Sequence, residues 1–166
     1  FYRLPDVCLY IGRLNKEYFT FFGVPASRLV HGPHVVDNDY FSGRAEKLSA
    51  DIPRIKAAFG IEPDEKVILF CGKLVERKQP LLMLESFLRA EIGREWVLLM
   101  VGDGKLMGEL RKLSAAHPEK KVVFAGFLNQ SRIPEAYAIS ELLVLPSAAG
   151  ETWGLVVNEA LNFVVP

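Results

Sequence analysis

The chain has 166 residues, half of them hydrophobic, which is enough for one domain with a sizeable core or for one domain plus a fragment. Its 20 Lys and Arg balance 20 Asp and Glu, so neither the basic footprint of a nucleic-acid binder nor an acidic tail is present. No apolar run reaches the roughly eighteen residues of a membrane span, and no secretory leader is seen. The chain opens on Phe1, so we expect a piece of something longer. Cys8 and Cys71 are too few for a disulfide framework and suit a reducing cytoplasm; Cys71 reads as a small buried hydrophobe, not a nucleophile.

Taken in order, Val7 to Ile11 reads as a strand end, and Asn15 is placed to cap a short amphipathic helix from Lys16 to Phe22, closed by Gly23 and Pro25. Arg28 to Val36 is a second extended segment carrying Pro33, and the polar stretch Asp37 to Asp39 reads as a linker. His31 and His34 have a spacing that metal sites use, but no cysteine or third histidine stands near them, so an ordinary linker is the better reading and no metal is expected. From Arg44 to Phe59, apolar Leu48, Ile52, Ile55 and Phe59 recur three or four apart, a helical pattern that Pro53 must kink or restart. Gly60 ends it.

A regular alternation follows. Strands are predicted at Val67 to Cys71, Trp96 to Val101, Lys121 to Ala125 and Leu142 to Leu145; helices at Leu81 to Ala90, Lys105 to Ala116, Ile133 to Ile139 and Leu155 to Phe163. Such β-α units, about twenty-five residues each, predict an α/β fold: a Rossmann-like doubly wound parallel sheet with right-handed crossovers. In the order 3-2-1-4 the first and fourth strands are neighbours at the reversal point, and ligands bind beyond their carboxyl ends. The loops there are Gly72 to Gln79 and Ser147 to Gly154.

Both loops carry chemistry. Leu142 to Leu145 is a continuous apolar run, as in a parallel strand covered on both faces, and Pro146 ends it. Ser147, a small-residue turn at 148–150 and Glu151 then lead to Gly154, where the backbone can approach a ligand and the first-turn N–H groups of the next helix favour a phosphate. Glu159 falls about five residues into that helix, roughly 7 Å along its axis. That is too far from Glu151 for a shared proton, and suited to holding two hydroxyl-bearing ends of one extended ligand with phosphates between. The plainer alternative is a loop carboxylate favoured by the helix dipole and a solvated helix residue. Across the crevice, Lys73, Arg77 and Lys78 follow Gly72, where two lysines would balance a diphosphate or simply decorate a solvated loop. Gly102 to Gly104 resembles a truncated dinucleotide fingerprint that a tight turn explains as well. Gly126 and Phe127 either present backbone groups and an apolar wall to a base, or Phe127 is core.

These motifs in fixed order resemble the donor-binding domain of the retaining GT-B glycosyltransferases of glycosyltransferase family 4. The likeness is carried by Phe70 to Leu74 with Lys78, Val101 to Gly104, Val123 to Phe127, Leu145 to Ser147, and the E-x7-E pair Glu151 and Glu159 around Gly154. The stretch His31 to Phe41 also resembles the family's interdomain strand. The resemblance implies the tail of an acceptor domain in 1–33, a linker and lead-in helix in 34–60, and a partial nucleotide-sugar-binding domain in 61–166. It implies Lys73 and Lys78 on the donor diphosphate, Glu151 on sugar hydroxyls near the reacting carbon, and Glu159 on the ribose. Gly154 and Leu155 would cap the distal phosphate, Gly126 and Phe127 would flank the base, and Gly72, Gly102 and Ser147 would complete the donor site. The donor implied is a UDP-, GDP- or ADP-sugar, with no cofactor or metal. The acceptor, a growing polysaccharide or glycolipid, would sit on the other domain, which would also make any peripheral membrane contact. Nucleic acid is not an expected partner.

Two departures stand out: Lys73 replaces the family's usual arginine, and Phe163 and Val164 stand where a glycine is usual before the final proline. The fourth strand is expected to be an apolar edge, so that these residues alone would self-associate and lack activity. Three other readings remain open: a glycoside hydrolase using Glu151 and Glu159, which leaves the lysines unexplained; a non-catalytic nucleotide-binding module; and another GT-B activity on the same donor, such as a nucleotide-sugar epimerase.

Overall fold

The computed structural model describes residues 4–148, 151 and 153–166, in two compact units, 1–36 and 37–166. The small-residue turn expected at 148–150 lies, beyond Ala148, outside the described residues.

In the first unit, strands β1 (Cys8–Tyr10) and β2 (Leu29–His31) pair in parallel through helix α1 (Arg13–Phe21). The helix starts earlier than its composition suggests, after an extended Gly12. Asn15 is therefore already inside the first turn, and its Oδ1 reaches back to accept from the Ile11 N–H at 3.1 Å.

The second unit opens with α2 (Asn38–Leu48) and α3 (Ile52–Ala58), joined by a 3-10 turn at Ser49–Asp51. The polar stretch at 37–39 opens a helix: the Asp37 side chain caps α2 by accepting from the Tyr40 N–H at 2.9 Å. Pro53 restarts the helix as expected, sitting in the first turn of α3 where its missing N–H costs nothing. Strands β3 (Lys66–Cys71), β4 (Trp96–Val101), β5 (Lys121–Gly126) and β6 (Leu142–Leu143) then alternate with α4 (Pro80–Arg89), α5 (Met107–Ala115), α6 (Ile133–Ala138) and α7 (Leu155–Leu161).

All sheet pairings in this unit are parallel, in the order β5-β4-β3-β6, which is the predicted 3-2-1-4. Every residue from Val97 to Val101 is buried, as a central strand covered on both faces requires. Phe70, Leu98 and Met100 point to one face and form a core with Leu74, Met83, Leu84, Phe87, Leu106 and Leu110. The fourth strand is the edge of the sheet, as expected, but it is shorter than the apolar run Leu142 to Leu145. Leu142 is 36% exposed and Leu143 to Leu145 are only half-buried, because β6 pairs with β3 on one side alone; the Pro166 carbonyl returns to accept from the Leu143 N–H at 2.9 Å.

The carboxyl ends of the inner strands are held unusually close. Gly72 donates to the Val101 carbonyl at 3.0 Å and Gly102 donates to the Gly126 carbonyl at 2.8 Å, extending the ladder one residue past the strands. Gly102 has φ 136°, and a Cβ there would lie 1.9 Å from the Gly72 carbonyl oxygen. At the other end of the sheet, buried Lys56 donates to the Pro63 and Glu65 carbonyls at 3.2 and 2.5 Å, fastening α3 to the lead-in to β3.

Gly102→Ala should destabilise by about 3 kcal/mol or more, read by urea unfolding, whereas Gly43→Ala, in helix α2 with open space around it, should stabilise by about 0.5–1 kcal/mol. Val164 takes the left-handed φ of 60° and is 89% exposed. Val164→Gly should therefore raise stability by about 1 kcal/mol, the relief of a β-branched residue in that region exceeding the entropy glycine adds to the unfolded chain.

Candidate active site

The two loops at the sheet's reversal point do meet. After β3 the chain makes a 3-10 turn at Glu76–Lys78, passes through Gln79 at φ 54°, and enters α4 on Pro80. This tight path turns the Lys78 ammonium toward the loop after β6. There the Ala148 N–H donates to the Arg77 carbonyl at 2.9 Å, joining the loops through main chain. Lys78 Nζ donates to Glu151 Oε2, and Ser147 Oγ donates to the same oxygen at 2.7 Å. The Lys78 and Glu151 side chains are only 15% and 22% exposed. The Lys78 hydrogen bond first, then that of Ser147, holds the Glu151 carboxyl below the usual carboxylate range.

Beside this cluster is a cleft of about 590 Å³ in the second unit. Gly72 and Gly102 form part of its floor, Lys73 and Phe127 part of its rim, and Glu159 with Tyr137 part of its wall. The Lys78 stem joins cluster to cleft, since a Cβ on Gly72 would lie 3.8 Å from Lys78 Cδ. Phe127 is 75% exposed and so is not core; it is available as an apolar surface. Gly126, at φ 69°, accepts from Gly102 and lies at the end of β5. Gly154 has φ 75°, and a Cβ there would press on Leu145 at 2.8 Å, so glycine is needed where the chain turns from β6 into α7. Leu155 begins that helix and is partly exposed.

Glu159 is not the solvated helix residue of the plainer reading. Its Oε2 accepts from the Tyr137 hydroxyl at 2.6 Å. Tyr137 is fully buried on α6, with its ring between those of Phe41 and Phe163 at centroid separations of 6.3 and 5.6 Å. Burial, then the neighbouring Cys71 and Glu159, push the phenol's pKa far up. Burial also raises the Cys71 thiol to about 11. Tyr137, on α6, carries no motif of its own, whereas Asp103, which also lines the cleft, falls within the stretch Val101 to Gly104. Among the described residues no group of three or more His, Cys, Asp or Glu is placed to hold a metal ion, and no helix is long and apolar enough to cross a membrane.

The chain is similar to known proteins in sequence and in fold. The chain is 32% identical over 133 residues to the 2-deoxystreptamine glucosyltransferase of Streptomyces kanamyceticus, a match that covers 78% of this chain and 33% of that protein. The chain thus spans about a third of that relative's length. Among solved structures, Anabaena HepE in complex with UDP and glucose superposes with a TM-score of 0.77 at 19% identity, covering 99% of this chain and 44% of that one. A glycosyltransferase from Rickettsia africae superposes with a TM-score of 0.78 at 18% identity, covering 96% of this chain and 43% of that one. At such identities these two likenesses speak for the fold, the Rossmann-like C-terminal part of GT-B enzymes. Residues 51–166 match the glycosyl transferases group 1 family, and with the sequence relative above this places the chain in that family.

Proposed function

We propose that this chain is the donor-binding part of a retaining glycosyltransferase that moves a hexose from a nucleoside diphosphate sugar to a carbohydrate or lipid-linked acceptor held by another domain. The observation that carries the reading is the convergence of Lys78 and Ser147 on Glu151 at the sheet's reversal point, beside a cleft walled by Lys73 and Glu159. The diphosphate would lie between the two lysines and the peptide groups at Gly154 and Leu155. Gly72 and Gly102 present it with backbone alone. Phe127 and Gly126 would receive the base, and Glu159 the ribose hydroxyls. The binding of UDP by Anabaena HepE supports a nucleotide in this fold.

In this reading Lys78 starts as the partner of Glu151 and is drawn to the incoming diphosphate, leaving Glu151 and Ser147 to accept and donate to sugar hydroxyls. The rate gain comes from lysine charges and peptide dipoles fixed where negative charge grows on the departing diphosphate. A lysine at position 73 acts as a point charge, without the two-pronged grip of an arginine. We place the reaction in the cytoplasm, where the free thiols of Cys8 and Cys71 stay reduced.

Lys78→Ala in the full-length protein should lower transfer by roughly 10²–10³-fold, measured as nucleotide release with UDP-, GDP- and ADP-glucose in turn; undiminished turnover on the preferred donor would refute the assignment. The Glu151 link also has a pH signature. Because its carboxyl is held low in the folded state, the stability it contributes is complete above the ordinary carboxylate value of 4.5 and is lost as pH falls through the lowered value. The melting-temperature gap between the parent and Glu151→Gln should accordingly be widest near neutrality and close in acid, as followed by calorimetry.

A further inference from the structure

We propose that Tyr137 is the positioning residue of the nucleoside subsite, its buried hydroxyl holding the Glu159 carboxylate in the orientation that receives a ribose diol. The inference rests on the donor-site reading above and goes beyond it by naming what aims the carboxylate.

A glutamate on a helix surface has several rotatable bonds and spreads over many rotamers, so a carboxylate meant to accept from a diol gains from being aimed beforehand. Helix α7 offers little aiming of its own: it is seven residues long, Ala160 is its one buried residue, and Leu155, Val157 and Leu161 are exposed. Aiming comes instead from α6. Tyr137 is fully buried and its ring is set by Phe41 and Phe163, so the hydroxyl has a fixed place at the cleft wall. From there it donates to Glu159 Oε2 at 2.6 Å, and both residues line the cleft. A carboxylate has about four lone-pair sites and the phenol takes one, so capacity for a diol remains. Cys71, also in the lining, completes the surroundings of the hydroxyl; its thiol, raised to about 11, stays neutral and adds no competing charge beside Glu159.

The test uses the full-length protein and calorimetric binding of uridine, guanosine and adenosine diphosphates, the 2′,3′-dideoxy analogue of whichever binds best, and inorganic pyrophosphate. The parent should prefer the ribonucleotide over its dideoxy analogue by roughly tenfold, the scale of one hydrogen bond to a charged group. Tyr137→Phe keeps the ring and removes the hydroxyl. It should bring that preference close to one while leaving pyrophosphate binding as it was, and in a Glu159→Ala background it should change nothing further. A preference that survives Tyr137→Phe would overturn the positioning role and leave the donor-site reading intact. Loss of pyrophosphate binding with Tyr137→Phe, or an equal further loss in the Glu159→Ala background, would mark Tyr137 as a packing residue and overturn it too. A parent that binds none of the diphosphates would overturn the donor-site reading and this inference together.

Discussion

The contact between the Gly72 carbonyl and the α-carbon of Gly102 sets the form of the site. No side chain fits between them, since a Cβ would come within 1.9 Å of the oxygen. That approach lets the ladder run on past the strands, Gly72 to Val101 and Gly102 to Gly126, so the cleft rests on main chain. Leu74 extends the same stitching: its N–H donates to the Asp103 carbonyl at 2.9 Å, and its own carbonyl accepts from Leu106 at 3.1 Å. The loops after β3 and β4 are thereby one body with the sheet. A floor of peptide groups without side chains can lie against a large, highly charged ligand part, where any Cβ would hold it off.

Charge is arranged around that floor so that little of it is unanswered. Lys78 and Glu151 are both largely withdrawn from water, a placement that costs desolvation and is stable because each answers the other, with Ser147 adding a second donor to the carboxylate. Lys73 differs in being exposed at the cleft rim. Lys78 is thus committed to Glu151, and Lys73 is open to solvent.

The far end of the sheet is secured by different means. Lys56 is buried and its ammonium is spent on the Pro63 and Glu65 carbonyls, while Glu141 accepts from the Val67 N–H where β3 begins. Glu65 in turn pairs with Lys121 at 2.6 Å, tying β5 to the same edge. Structural polar groups therefore gather at the amino ends of the strands and candidate chemical groups at the carboxyl ends, a separation that the parallel sheet imposes.

The alternation of apolar runs with helical spacing was enough by itself to indicate a parallel sheet, because burial on both faces writes itself into composition; the order 3-2-1-4 came from assuming the doubly wound class. Glycine at 72, 102 and 126 was legible because each stands where a chain leaves a strand, and Gly154 because it opens a helix. Other features depended on contacts between residues distant in sequence. The Asp37 cap was not legible because capping and solvated carboxylates have the same composition, and how much of β6 is covered is decided by its neighbours. Tyr137 carries no motif, and its hydroxyl meets Glu159 across 22 residues only once α6 and α7 are packed. Local periodicity determined which elements form; tertiary packing alone decided which side chains share a hydrogen bond, since that depends on distances no spacing along the chain encodes.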